Sequence, residues 1–216
     1  MKLFRIILIA SLLLLGSGGR VSAQWKFCSW SALDVSHKFC GGKLTAGLYS
    51  EYRTQEQEET LLGFNQFYLR PKLTYTPARW VALTMQADFA FYPEKERRIR
   101  YIPQVKFNTR LGPAALSWRQ RLMVTTAGGR TESVLNRSML SVAYAPEGAR
   151  VSPYIAAEPF YAFRKEGFLN RVRWYAGLRY SFSRSLSCSF QYVFQDYYKA
   201  GKADDHILFL IMNVSL

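Results

Sequence analysis

Apolar and polar residues alternate one by one along most of this chain. The clearest run covers residues 81–92. Val81, Leu83, Met85, Ala87, Phe89 and Phe91 fall on one face; Ala82, Thr84, Gln86, Asp88, Ala90 and Tyr92 fall on the other. Successive side chains of a strand point to opposite sides, so a period of two predicts a strand with one apolar and one polar face. The pattern recurs over 43–54, 64–75, 98–109, 115–126, 133–145, 151–163, 169–182, 186–198 and 206–216. The reading is an all-β chain of about ten strands, each of about 11–14 residues.

Strand length separates two architectures. Strands of soluble sheets run to about 5–6 residues, whereas tilted strands that cross a bilayer need about 9–11. The connections alternate in character as well. Segments 76–79, 111–113, 146–149 and 183–185 read as tight turns; 55–59, 93–97, 127–132, 164–167 and 199–205 read as longer or more charged loops. Short turns at one end and longer polar loops at the other describe a single antiparallel transmembrane β-barrel, with the turns periplasmic. An even strand count brings both chain ends to the turn side. Trp80, Trp118, Tyr144 and Tyr180 fall near the turns, and Tyr52, Phe91, Tyr161 and Tyr197 near the loops. Two interfacial aromatic girdles would be placed this way, although strands favour aromatics in any setting.

Two features resist the scheme. Pro71, Pro103, Pro153 and Pro159 fall inside predicted strands, where each removes a ladder hydrogen bond. Bulges are expected there, and a bulge shifts the faces beyond it. Residues 24–42 are a separate N-terminal segment ahead of a barrel over 43–216. Their stretch 30–39 reads as an eleventh strand paired across Gly41-Gly42, as a lumen insert, or as half of an added hairpin giving twelve strands.

Composition narrows the class. The 216 residues hold 29 Lys+Arg against 15 Asp+Glu, a formal charge of +14. Aromatics at 16% with charged residues at 20% exclude a disordered tail. Three cysteines are too few for a disulfide scaffold; Cys28 and Cys40 could form one bridge in an oxidising compartment, and Cys188 falls on the apolar face. The basic balance invites a nucleic-acid partner, but the N-terminus points elsewhere. Lys2 and Arg5 precede an apolar run from Ile6 to Leu15, and Val21-Ser22-Ala23 offers a cleavage site. Residues 1–23 read as a secretory signal peptide, too short in its apolar run for a spanning helix. Export removes DNA and RNA as everyday partners.

Several stretches resemble a known family: LYSEYR at 48–53, LNRSMLSVAY at 135–144, SPYIAAEPFYAF at 152–163, FLNRVRWYAGLRY at 168–180 and the closing DDHILFLIMNVSL. Together they resemble the outer-membrane barrels catalogued as domain of unknown function 2490. The resemblance implies a Gram-negative outer-membrane β-barrel, inserted by the barrel-assembly machinery among phospholipid and lipopolysaccharide. It implies no activity.

Catalytic chemistry finds little support in the residues. Small barrels that hydrolyse lipids need a histidine to activate a nucleophile. His206 is followed by Ile207-Leu208 and His37 by Lys38-Phe39, so neither supplies a His-x-Ser pair on one strand face. No phosphate-binding glycine loop or metal-spaced His/Cys cluster occurs. The expectation is no enzyme, no cofactor and no metal.

The informative set is the polar face. By alternation it carries Arg53, Arg70, Lys72, Arg98, Arg100, Lys106, Arg119, Arg121, Arg137, Arg171, Arg173 and Arg179, with Glu51, Asp88 and Glu158 as acidic partners. A charge on the lipid face at mid-bilayer costs about 2–4 kcal/mol, so these side chains belong in the lumen. Rings of arginine favour anions, and the guanidinium fork suits carboxylate or phosphate. The lumen therefore reads as a narrow anion-preferring pore or a binding channel for a small anionic solute. The alternative is a closed barrel filled by its own Arg and Tyr side chains, with a structural or lipopolysaccharide-contacting role.

Overall fold

The alternating segments become strands, and the strands close on themselves. In the computed structural model, residues 25–56, 63–93, 97–163, 168–198 and 202–216 are described; the segment 1–23, read as a signal peptide, lies outside them. Eleven strands follow one another: β1 (Trp25–Phe39), β2 (Leu44–Gln55), β3 (Gly63–Ala78), β4 (Val81–Phe91), β5 (Arg98–Leu111), β6 (Ala114–Ala127), β7 (Arg130–Tyr144), β8 (Val151–Ala162), β9 (Leu169–Ser181), β10 (Leu186–Tyr197) and β11 (Asp204–Ser215). Each pairs antiparallel with its neighbour in sequence, and β1 pairs parallel with β11 to seal the barrel. The described residues contain no α-helix.

The expected counts of ten and twelve are both corrected to eleven. The segment 24–42 contributes a full wall strand, β1, which runs antiparallel to β2 from Cys28↔Gln55 to Phe39↔Leu44. Because β1 lies parallel to β11, Trp25 starts at the loop rim while Ser215 ends at the turn rim. The expectation of both ends on the turn side fails for this reason. It also separates Cys28 from Cys40. Cys28 lies near the start of β1 and Cys40 just past its far end, about 40 Å apart at about 3.3 Å per residue. A disulfide needs Cα atoms within about 7 Å, and all three cysteines are free.

The prolines act more gently than expected. Pairing skips Pro71 between β3 and β4, Pro103 between β5 and β6, and Pro159 between β7 and β8, yet the register on either side is unchanged. Pro153 is paired with Leu178. A missing N–H breaks rungs without adding a residue, so inside and outside stay in phase. Register shifts occur instead at Arg53/Thr54, Tyr75/Ala78, Thr125/Thr126 and Phe160/Tyr161. The connection 127–132, read as a long loop, is a tight turn on Gly128 and Gly129. Both glycines have positive φ (52° and 75°), a conformation that needs no Cβ.

The outer wall is apolar. Leu48, Leu73, Met85, Leu140, Ile155, Leu178, Phe190 and Leu210 point outward and are exposed. Aromatics gather at both rims. Near the turns, Trp80 stacks on Phe107, and Phe107 on Trp118, with centroids 6.0 and 5.5 Å apart. Near the loops, Tyr52 stacks on Phe64 and Trp25 meets His206 edge-on. Tyr197 is an exception to the girdle reading. It points inward and its hydroxyl donates to Asp205 Oδ2 at 3.0 Å.

Candidate functional site: a cationic vestibule

Inside the barrel the two halves differ. In the loop half, inward residues fill the lumen. Tyr68, Ile102, Phe160, Val193 and Ile207 are fully buried there, with Asp88, Glu158 and Gln195 among them. Part of this filling is an apolar cluster of Cys28, Trp30, Ala156, Tyr175, Val193, Ile207 and Phe209, contributed by β1 and by β8 to β11.

Three carboxylates tie the filling together. Glu51 pairs with Arg53 and accepts from the Tyr49 hydroxyl at 2.5 Å. Asp88 takes Arg70 at 3.0 Å and Arg100 at 3.5 Å. Glu158 takes Arg119 at 3.1 Å, Arg137 at 2.9 Å and the Tyr175 hydroxyl at 2.7 Å. Guanidinium planes cover the aromatic rings between these nodes. Arg53 lies 3.7 Å from the Trp30 centroid, and Arg137, Arg171 and Arg173 lie 4.4, 4.3 and 4.8 Å from that of Phe160. Such contacts let a cation stay inside a packed core.

The turn half holds a cavity of about 1000 Å³. Its walls include Arg79, Arg110, Ala115 and Ala145 at the turn rim, and it reaches down to Arg121 and Arg137. Eleven Lys and Arg residues line it, against two carboxylates, Asp34 and Glu51. Both acids are committed: Glu51 to Arg53, and Asp34 to Lys72 Nζ at 2.5 Å. The Lys72 contact crosses β2, and Gly47 makes room for it. A Cβ at residue 47 would lie 2.7 Å from Lys72 Cε.

The remaining cations are not neutralised. Lys106, Arg121, Arg173, Arg179, Arg79 and Arg110 form no ion pair with any described residue. Arg121 Nε donates to Gln104 at 2.7 Å, and Arg179 Nη2 to Ser187 at 3.0 Å. The charges acting on the Lys106 ammonium are all positive: Arg119, Arg179 and Arg121. The register explains the crowding, because Lys106 faces Arg119 across β5 and β6, and Arg121 faces Arg137 across β6 and β7. Like charges directly opposite one another destabilise a sheet.

The predicted inward residues thus divide into groups. Lys72, Lys106, Arg119, Arg121, Arg137 and Arg179 line the cavity; Arg53, Arg70 and Arg173 border it from the packed half. Arg100 and Arg171 lie within the packing. Arg98 is at the loop rim, paired with Glu132 at 2.9 Å. Asp34 and the cavity-mouth residues Arg79 and Arg110 were not in the predicted set. Asp34 was missed because β1 was not assigned a face, and Arg79 because a turn has no alternation to read. His206 lies on the outer wall, hydrogen-bonded to Tyr192.

The fold and this interior define a closed β-barrel with a half-filled, cationic lumen. The chain belongs to the family described as Protein of unknown function (DUF2490), whose model matches residues 27–206. That match spans β1 to β10 and stops within β11. No curated protein matches the chain.

Proposed function

We propose that this protein is an outer-membrane β-barrel that holds small anionic solutes in a vestibule open to the periplasm, rather than a through-pore or an enzyme. Membrane insertion is supported by the outer wall. Met85, Leu140, Ile155, Leu178 and Phe190 are each more than half exposed. Apolar surface that encircles a molecule far exceeds the few hundred Å² a soluble protein exposes. A closed sheet also leaves no unpaired edge in hydrocarbon. The alternation of short turns and charged loops supports turns on the periplasmic side, and partners then include phospholipid, lipopolysaccharide and the barrel-assembly machinery.

The observation that carries the binding role is the set of unpaired cations in a cavity whose far end is packed. Cations in a low-dielectric space repel one another strongly, and an anion entering from the turn rim relieves that repulsion. The packed loop half opposes conduction. Planar-bilayer recording of the refolded protein tests this. The wild type carries no steady current, and Tyr68→Ala combined with Phe160→Ala opens an anion-preferring one. Steady current through the wild type would contradict the reading.

A further inference from the structure

The vestibule also indicates the charge of its ligand. We infer that it selects compact polyanions, with several negative charges within one small molecule, over singly charged anions; this rests on the binding role proposed above. The cations are grouped rather than scattered. Lys106 and Arg119 face each other on one rung, and Arg121 and Arg137 on another one step deeper. Side chains directly opposite across a sheet start about 4.5–5.5 Å apart at Cβ, and diagonal ones about 7–8 Å apart. Four positive heads therefore fit within the span of a short oligophosphate or a tricarboxylate.

One carboxylate, Glu158, already bonds two of the four. It leaves Lys106 and Arg121 without an acid, and it does not exhaust its own partners. Arg119 Nε and Arg137 Nε are buried N–H donors with no acceptor. Side-on guanidinium donors of this kind suit an oxyanion with several oxygens. Arg179 adds a further cation to the cavity wall. A singly charged anion can satisfy one head and leaves the others repelling; a polyanion satisfies several at once. The cavity volume also lies within the range of small-molecule sites.

Isothermal titration of the full chain, refolded in a zwitterionic detergent, separates the possibilities. The probes are tripolyphosphate, citrate and acetate at equal ionic strength. Tripolyphosphate or citrate binds at least tenfold more tightly than acetate, and the affinity falls as salt rises. A preference between tripolyphosphate and citrate assigns phosphate or carboxylate chemistry. Lys106→Gln and Arg121→Gln each weaken the polyanion tenfold or more, and Arg184→Gln, in a turn outside the cavity, does not. Heat-modifiable migration confirms that each variant is a folded barrel. Equal affinity for acetate and the polyanions overturns the selectivity and leaves the binding role standing. No heat with any anion overturns both.

Discussion

Arg121 and Arg137 stand directly opposite one another on β6 and β7, two guanidiniums on one rung of the inner wall. Glu158, on β8, bonds Arg137 and reaches past it to Arg119. Its carboxylate is fully buried and is the acid that bonds two members of this group. Removing one partner of a buried ion pair leaves the others uncompensated and costs about 3–5 kcal/mol. Glu158→Gln therefore lowers barrel stability by about that amount in urea titrations followed by heat-modifiable migration. Adding Arg121→Gln in the same chain restores part of the loss, because it removes a repelling charge. An additive second loss would show that the two arginines do not interact.

The parallel seam sets the strand count, and cross-linking reads it. Ser31 and Leu210 are register partners on β1 and β11, and adjacent strands lie about 4.8 Å apart, close to disulfide spacing. In a chain whose native cysteines are replaced by serine, Ser31→Cys with Leu210→Cys oxidises readily in the folded barrel. Ser31→Cys with Val214→Cys, four residues out of register, does not. Equal cross-linking of both pairs would argue against β1 as a fixed wall strand.

The seam also shows where the sequence could be read and where it could not. β4 was legible because its two faces differ sharply: Leu83 and Met85 outward, Gln86 and Asp88 inward. β1 reverses that rule over residues 28–32. Ser29 and Ser31 lie on its outward face, while Cys28, Trp30 and Ala32 pack inward against Val193, Ile207 and Phe209. Trp25, Leu33 and Phe39, on the same face as the two serines, are exposed, so β1 has no single apolar side and parity alone does not orient it. One signal did exist: Ile207 to Met212 is continuously apolar, the mark of a strand buried on both faces. It implied an apolar partner inside the barrel. The grouping of the inward cations into a packed half and an open half was beyond parity, since it depends on the stagger between strands.

The outward face of β4 offers a direct comparison. Met85 is 53% exposed on the outer wall and Gln86 is 6% exposed toward the lumen. In the outer-membrane barrel proposed above, Met85→Lys places a charge in hydrocarbon at a cost of about 2–4 kcal/mol, whereas Gln86→Lys adds a cation to a wetter interior. The first variant gives much less heat-modifiable barrel in outer-membrane fractions than the second. Equal yields would place both side chains in similar surroundings.

Access to the vestibule is the most direct measure of the account. Ser117 and Ser141 line it and bond each other at 2.7 Å. In a chain whose native cysteines are replaced by serine, Ser117→Cys reports on the cavity through its rate of reaction with small thiol reagents of opposite charge, applied to oriented proteoliposomes. A negatively charged thiosulfonate added on the turn side reacts several-fold faster than a positively charged one, and neither reacts from the loop side. Equal rates from both sides, or faster labelling by the cation, would contradict a cationic vestibule closed at its far end.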